Sequence, residues 1–151
     1  MEKFNTFYED MPAVWGDNYS VTSEIGKLRT VMVHRPGKEI ENITDPGAIY
    51  FRDFIDVDKA RWEHDQLVKV YKDHGVTVYN VDETDPGCPN AMYCHDLILG
   101  TPEGVIITRP GIKIRHNEVK YVAQEAARHG VPIVRTVHGN GIFDGACATW
   151  V

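Results

Sequence analysis

Three polar stretches of this 151-residue chain lie beside apolar, β-branched runs, where strand ends commonly present binding side chains. The first is Cys88-Pro89-Asn90-Ala91-Met92-Tyr93-Cys94-His95-Asp96. The second is Arg115 with Glu118, at the entry to a helical segment, and the third runs from His138 to Ala146 and contains Asp144. Asn90, Asp96 and Asp144 offer amide and carboxylate oxygens. A carboxylate accepts two parallel N–H bonds, which suits a planar cation such as guanidinium. Arg115 could hold a substrate carboxylate through the same fork. A purely local reading also stays open: Asp96 and Asp144 cap turns, Asn90 starts one, and Arg115 pairs with Glu118 on the helix. His138-Gly139-Asn140-Gly141 has the look of a phosphate cradle, but neither a lysine nor a helix follows it.

Composition narrows the classes. Hydrophobic residues make up 42% and charged residues 25%, which describes a globular chain and not a disordered one. The formal charge of -6 comes from interspersed acidic and basic residues. Without a basic stripe, nucleic acid is not the expected partner. No apolar run is long enough to cross a bilayer, and the first twenty residues lack the cationic start and apolar stretch of a secretory signal. A cytoplasmic location is therefore expected. Cys88, Cys94 and Cys147 are an odd set that argues against a disulfide framework. The spacing of Cys88, Cys94, His95 and Asp96 matches no standard zinc pattern, so free thiols and no metal are expected.

The elements that must position these residues form a repeat. The segment 28–37, LRTVMVHRPG, leads through a long polar loop to a helical stretch that ends in His74-Gly75-Val76 and a second strand. The segment 104–111, GVIITRPG, leads through a shorter link to another helical stretch that ends in His129-Gly130-Val131 and a strand. Each copy reads strand, Arg-Pro-Gly, loop, helix, His-Gly-Val, strand, a unit that cannot bury its apolar faces alone. In the first helix, Ala60, His64, Leu67, Val68 and Tyr71 recur at helical spacing, with Gly75 as the stop. His64 is expected to be packed and hydrogen-bonded there, not catalytic. In the second, Asn117 is the expected N-cap, and Val119, Val122, Ala123 and Ala126 form the inner stripe. This order gives an α/β class with open sheet edges that call for further repeats or a partner.

Four collinear segments carry a family resemblance. Ser23 to Leu28 running into Val31-Met32-Val33-His34-Arg35-Pro36-Gly37 resembles the opening of arginine deiminases and amidinotransferases. Ala60, then Glu63-His64-Asp65 and Gly75-Val76, resembles the first helix of that family. Pro89-Asn90 with Asp96 resembles its Pro-Asn…Phe-x-Arg-Asp signature, and Phe143-Asp144-Gly145-Ala146 resembles its Glu-Gly-Gly-Asp segment. The resemblance spans about Ser23 to Val151, with residues 1–22 as an N-terminal extension and 23–151 as the N-terminal half of such a domain.

The resemblance implies a partial pentein-type α/β propeller of ββαβ repeats, about two plus the start of a third, around a substrate cavity. It also implies a guanidino-compound-modifying enzyme, of deiminase or dihydrolase type or an amidinotransferase, that works through a covalent amidino-cysteine intermediate and without a cofactor. Thiolate attack suits the chemistry because resonance makes guanidinium a poor electrophile. Position by position, Asp96 and Asp144 match catalytic, guanidinium-gripping carboxylates, and Asn90 and Arg115 match groups that bind the amino-acid end of a substrate such as arginine. Three departures stand out: His95 replaces an arginine, Asp144 is shorter than glutamate, and Cys147 replaces an acidic residue. The family's catalytic histidine and cysteine lie in the C-terminal half. The expectation is that this chain supplies the substrate-binding half, inactive alone, and works with a C-terminal half or a partner chain. The alternative is a catalytically inactive binding or regulatory module that pairs with another chain, including a second copy of itself.

Overall fold

A computed structural model describes residues 4–16, 19–82 and 84–151. Residues 1–3 and 17–18 of the expected N-terminal extension lie outside the described residues. The order is α1 (Phe7–Val14), β1 (Thr30–Val33), α2 (Val57–Asp73), β2 (Thr77–Asn80), β3 (Ile98–Thr101), β4 (Gly104–Ile107), α3 (Val119–Arg128) and β5 (Ile133–Thr136). Short 3-10 turns cover Lys38–Ile40, Gly47–Ile49, Cys94–Asp96, Lys113–Arg115 and Gly145–Cys147.

The repeat read from the sequence is a structural repeat. β1 pairs in parallel with β2 across α2, and β4 pairs in parallel with β5 across α3. A parallel pair needs a long crossover, which the helix in each copy supplies. β3 adds to β4 as an antiparallel hairpin, so the second copy is a full ββαβ unit. The α2 and α3 helices both run out at a glycine with positive φ, Gly75 at 74° and Gly130 at 70°.

The core gathers on α3. Val122 and Ala126 are buried, as the stripe predicts, and meet Val81, Cys94 and Leu97 on one side and Val105, Ile107 and Val131 on the other. Met32 of β1 packs against both clusters, which joins the two units. The N-terminal segment docks on the second unit: the Val21 amide donates to the Thr101 carbonyl at 3.1 Å.

Three local expectations are corrected. Asn117 does not cap α3; Glu118 occupies that place in a helical conformation, without a side-chain cap bond, because its carboxylate is committed to Arg115. Leu67 is 46% exposed, since the α2 face that meets the sheet is centred on Ala60, Arg61, His64, Val68 and Tyr71. His64 is packed as expected but not hydrogen-bonded: both ring nitrogens are buried with no partner among the described residues. Its neighbours along that face are apolar or already engaged, so burial pushes its pKa down and keeps the ring neutral.

Candidate functional site

The Pro89-Asn90…Asp96 stretch is a pair of tight turns and not a strand. Pro89 fixes the entry, the Tyr93 amide donates to the Asn90 carbonyl at 3.0 Å, and the Cys94–Asp96 segment winds as a 3-10 turn into β3. Cys94 and Asp96 therefore do not share a strand face. Cys94 points inward into the core and its thiol donates to the Ala91 carbonyl at 3.5 Å, whereas Asp96 stays partly exposed. Burial pushes the Cys94 thiol up to about 12 and the Cys88 thiol up to about 11, so neither is a thiolate near neutral pH. Cys147 is exposed. Among the described residues, no group of three or more His, Cys, Asp or Glu side chains could hold a metal ion.

Arg115 is the hub. It is only 6% exposed, and its guanidinium donates in four directions. Nε bonds Glu118 Oε2 at 2.7 Å, Nη1 bonds Asp96 Oδ2, and Nη2 reaches the carbonyls of Asn90 at 3.2 Å and Tyr93 at 3.1 Å. Glu118, 1% exposed, accepts the Asn90 amide at 3.1 Å with its other oxygen. Burial opposes the charge on Arg115, and the bonds to Glu118 and Asp96 outweigh it, holding the guanidinium pKa above its ordinary value. Burial pushes Glu118 upward against the pull of Arg115. The local pairing of Arg115 with Glu118 is thus present, and it carries Asp96 and the Asn90 turn with it.

Beside this network opens a cavity of about 250 Å³ lined by Tyr50, Phe51, Asn90, Tyr93, Asp96, Ile112 and Arg115. Two carboxylates face one guanidinium here, leaving one negative charge. Among the described residues, Asp96 Oδ1 has no hydrogen-bond partner. Three aromatic rings form much of the wall: Tyr93 lies edge-on to Phe51, and the Arg115 guanidinium sits 5.9 Å from the Tyr93 ring centre. An open cavity with aromatic rings and polar groups in its wall, and one carboxylate oxygen that takes no bond from the described residues, suits a flat cation.

Of the four site residues expected from sequence, the structure brings Asn90, Asp96 and Arg115 to this cavity and leaves Asp144 outside its lining. Asp144 precedes the Gly145–Cys147 turn and accepts the Gly111 amide at 3.4 Å, next to the lining residue Ile112. That turn packs on the Asp96 turn so closely that a Cβ at Gly145 would lie 2.3 Å from the His95 carbonyl oxygen, so only glycine fits there. Sequence reasoning missed Tyr50, Phe51 and Tyr93. The first two sit in an irregular loop with no periodicity to mark them, although Pro46-Gly47 ahead of them signals a turn.

No family model matches the chain. Curated relatives do: it is 53% identical over 60 residues to an arginine deiminase of Pediococcus pentosaceus, and 46% identical over 66 residues to one of Mycoplasma capricolum. These alignments cover 38% and 42% of this chain but only 15% and 16% of the relatives. Among solved structures, a dimethylarginine dimethylaminohydrolase of Pseudomonas aeruginosa complexed with citrulline superposes with a TM-score of 0.64 at 20% identity. It covers 80% of this chain and 46% of that one. AgrE in complex with L-arginine gives 0.64 at 18% identity, over 80% of this chain and 18% of its own. The fold is therefore a partial pentein-type α/β propeller, and the chain spans less than half the length of the relatives it matches. The chain is thus similar in sequence to arginine deiminases over two fifths of its length and shares the pentein fold over four fifths of it.

Proposed function

We propose that this chain is the substrate-gripping half of a guanidino-compound-modifying enzyme, of arginine deiminase or dihydrolase type or an amidinotransferase, acting through a covalent amidino-cysteine intermediate. The observation that carries the reading is Asp96. Its carboxylate already accepts one guanidinium, that of Arg115, through Oδ2, and the residue lines the cavity with its second oxygen taking no bond from the described residues. A substrate guanidinium takes that oxygen and flattens against the aromatic wall. Arg115 and Asn90 lie within the same lining and receive the amino-acid end of the substrate, as the family resemblance implies. Asp144 serves as the second carboxylate and reaches the substrate from the Gly111 side. That solved structures of the same fold hold L-arginine and citrulline supports arginine or a close derivative as the substrate.

The nucleophile comes from elsewhere. Cys88 and Cys94 are buried with raised pKa values, and neither faces the cavity. The residues 1–151 alone are therefore expected to bind arginine without turning it over, and a C-terminal half of the same enzyme or a partner chain supplies the reactive thiolate and histidine. Calorimetry with L-arginine, paired with a citrulline and ammonia assay, tests this. Binding lost in Asp96→Ala, no release by the chain alone, and release restored by adding a C-terminal half are the expected results. Citrulline release by the chain alone, abolished by Cys147→Ser, would overturn the division of labour. The absence of an activated thiol equally suits a non-catalytic binding module; that reading requires tight arginine binding that no added half converts into turnover.

A further inference from the structure

The loop between β1 and α2 reaches the cavity as a strap. It leaves β1 at His34, passes the turns Lys38–Ile40 and Gly47–Ile49, and delivers Tyr50 and Phe51 to the cavity wall. Its near end is held by charge. His34 is 3% exposed, with Nδ1 against the Val81 carbonyl and Nε2 at 3.1 Å from Glu39 Oε1. Both partners are acceptors, so each contact requires a ring N–H, and a ring carrying both is an imidazolium. Glu39, also buried, accepts the Gly37 amide at 2.6 Å with the same oxygen. Arg61 of α2 adds bonds to the Pro36 carbonyl at 3.0 Å and the Gly37 carbonyl at 2.9 Å. The far end is held by buried Ile49, whose carbonyl accepts Asn90 Nδ2 at 3.3 Å. Between the anchors and the cavity, Tyr50 is held at φ 65°, alone among the described non-glycine residues in having a positive φ. Such a conformation persists only where the surroundings over-determine it.

We propose that the buried His34 imidazolium, paired with Glu39, is the positioning device that holds this strap as a wall of the cavity, so that loss of the His34 proton loosens the wall and weakens ligand binding. The ligand in this statement rests on the guanidino reading above; the coupling of the strap to His34 does not. The groups facing His34 are Glu39 from its own strap, Asp82 beyond β2, and His64 from α2, with Arg35 and Asp65 farther out around His64. His64 is neutral, so the local field is set by the two carboxylates. Burial opposes the charge on His34, but the bonds to Glu39 and to the Val81 carbonyl outweigh it and raise its pKa above the ordinary imidazole value. The clamp is therefore complete below that ordinary value and is lost as pH rises through the raised one. A neutral ring has one N–H and two acceptors to face, so either Val81 or Glu39 then meets a bare lone pair.

The test uses the full 151-residue chain labelled with nitrogen-15. Across a pH titration from about 6 to about 9, spanning the ordinary imidazole range and above it, NMR follows the His34 ring, amide exchange at Ile49, Tyr50 and Phe51, and L-arginine affinity. The expected result is a doubly protonated ring at the low end. Amide protection and arginine affinity should then fall together with its titration, affinity by roughly fivefold or more. Glu39→Gln should move all three transitions to lower pH, and His34→Gln should flatten the strap and affinity profiles. If His34→Gln does not fold, the wild-type and Glu39→Gln titrations still decide. A ring that is neutral at the low end, or strap protection that stays flat through the His34 titration, overturns the proposal. A strap that follows His34 while arginine binds at no pH supports the device and removes the guanidino reading.

Discussion

The two βαβ units share one grammar and are held together by different forces. In the second unit, α3 buries Val122 and Ala126 against a sheet whose β4 is largely buried. In the first, α2 is longer but has no buried residue, and β1 is only half-buried along its length. The reason lies in the inner positions. The α3 stripe is mainly valine and alanine, with a buried Glu125 that is tied to Arg128 and His129 at the helix end. The α2 face carries Arg61, His64 and Tyr71, and Arg61 anchors the helix through bonds to the Pro36 and Gly37 carbonyls. A repeated order of elements therefore dictates the topology of each unit, while the size and polarity of a few inward residues decide whether packing or charge keeps it together.

Substitutions can break this contrast in order of size. The largest effect is expected at the junction. Arg115→Met strands the buried Glu118 carboxylate and should cost about 3–5 kcal/mol in urea unfolding, with Glu118→Gln added in the same chain restoring part of it. Next comes the packed unit: Leu97→Ala, at 1% exposure, should cost about 2–5 kcal/mol. A smaller effect separates the units by pH. As pH rises through the raised pKa of His34, amide protection around β1 and α2 should decline while that of β4 and α3 holds. As pH falls through the lowered pKa of Glu39, the first unit should again be the one to weaken. The smallest is Leu67→Ala on the open face of α2, expected to change stability by no more than about 0.5 kcal/mol. A large loss there would mean that α2 is packed after all and would erase the contrast.

The same division explains how much was legible beforehand. β1, β2, β4 and β5, α2 and α3 and their glycine stops follow from β-branched runs and helical spacing, whereas α1 was not read. The grouping of Asn90, Asp96 and Arg115 was carried by the family resemblance, because residue types and spacing alone left a local turn-capping and pairing reading open. What escaped was set by tertiary contact. The 3-10 turn at Cys94–Asp96 left no mark in the sequence because it buries Cys94 and Leu97, three residues apart, in one cluster, a spacing that strand alternation does not signal. The Asn117 cap failed because Glu118 had a stronger buried partner in Arg115. Tyr50 and Phe51 were invisible because a strap anchored 41 positions away at Asn90 leaves no local periodicity. His34 carried no sign of its charge until both neighbouring acceptors were in place.

The two interior thiols have a consequence of their own. Cys88 and Cys94 flank Asn90 in sequence and are closed off from solvent, while Cys147 lies open on the surface. A soluble disulfide reagent should therefore modify one sulfur at once and the other two only when the packing around the Asn90 turn opens. The slow phase is a built-in clock for that opening, and a ligand held by Asn90 should lengthen its period.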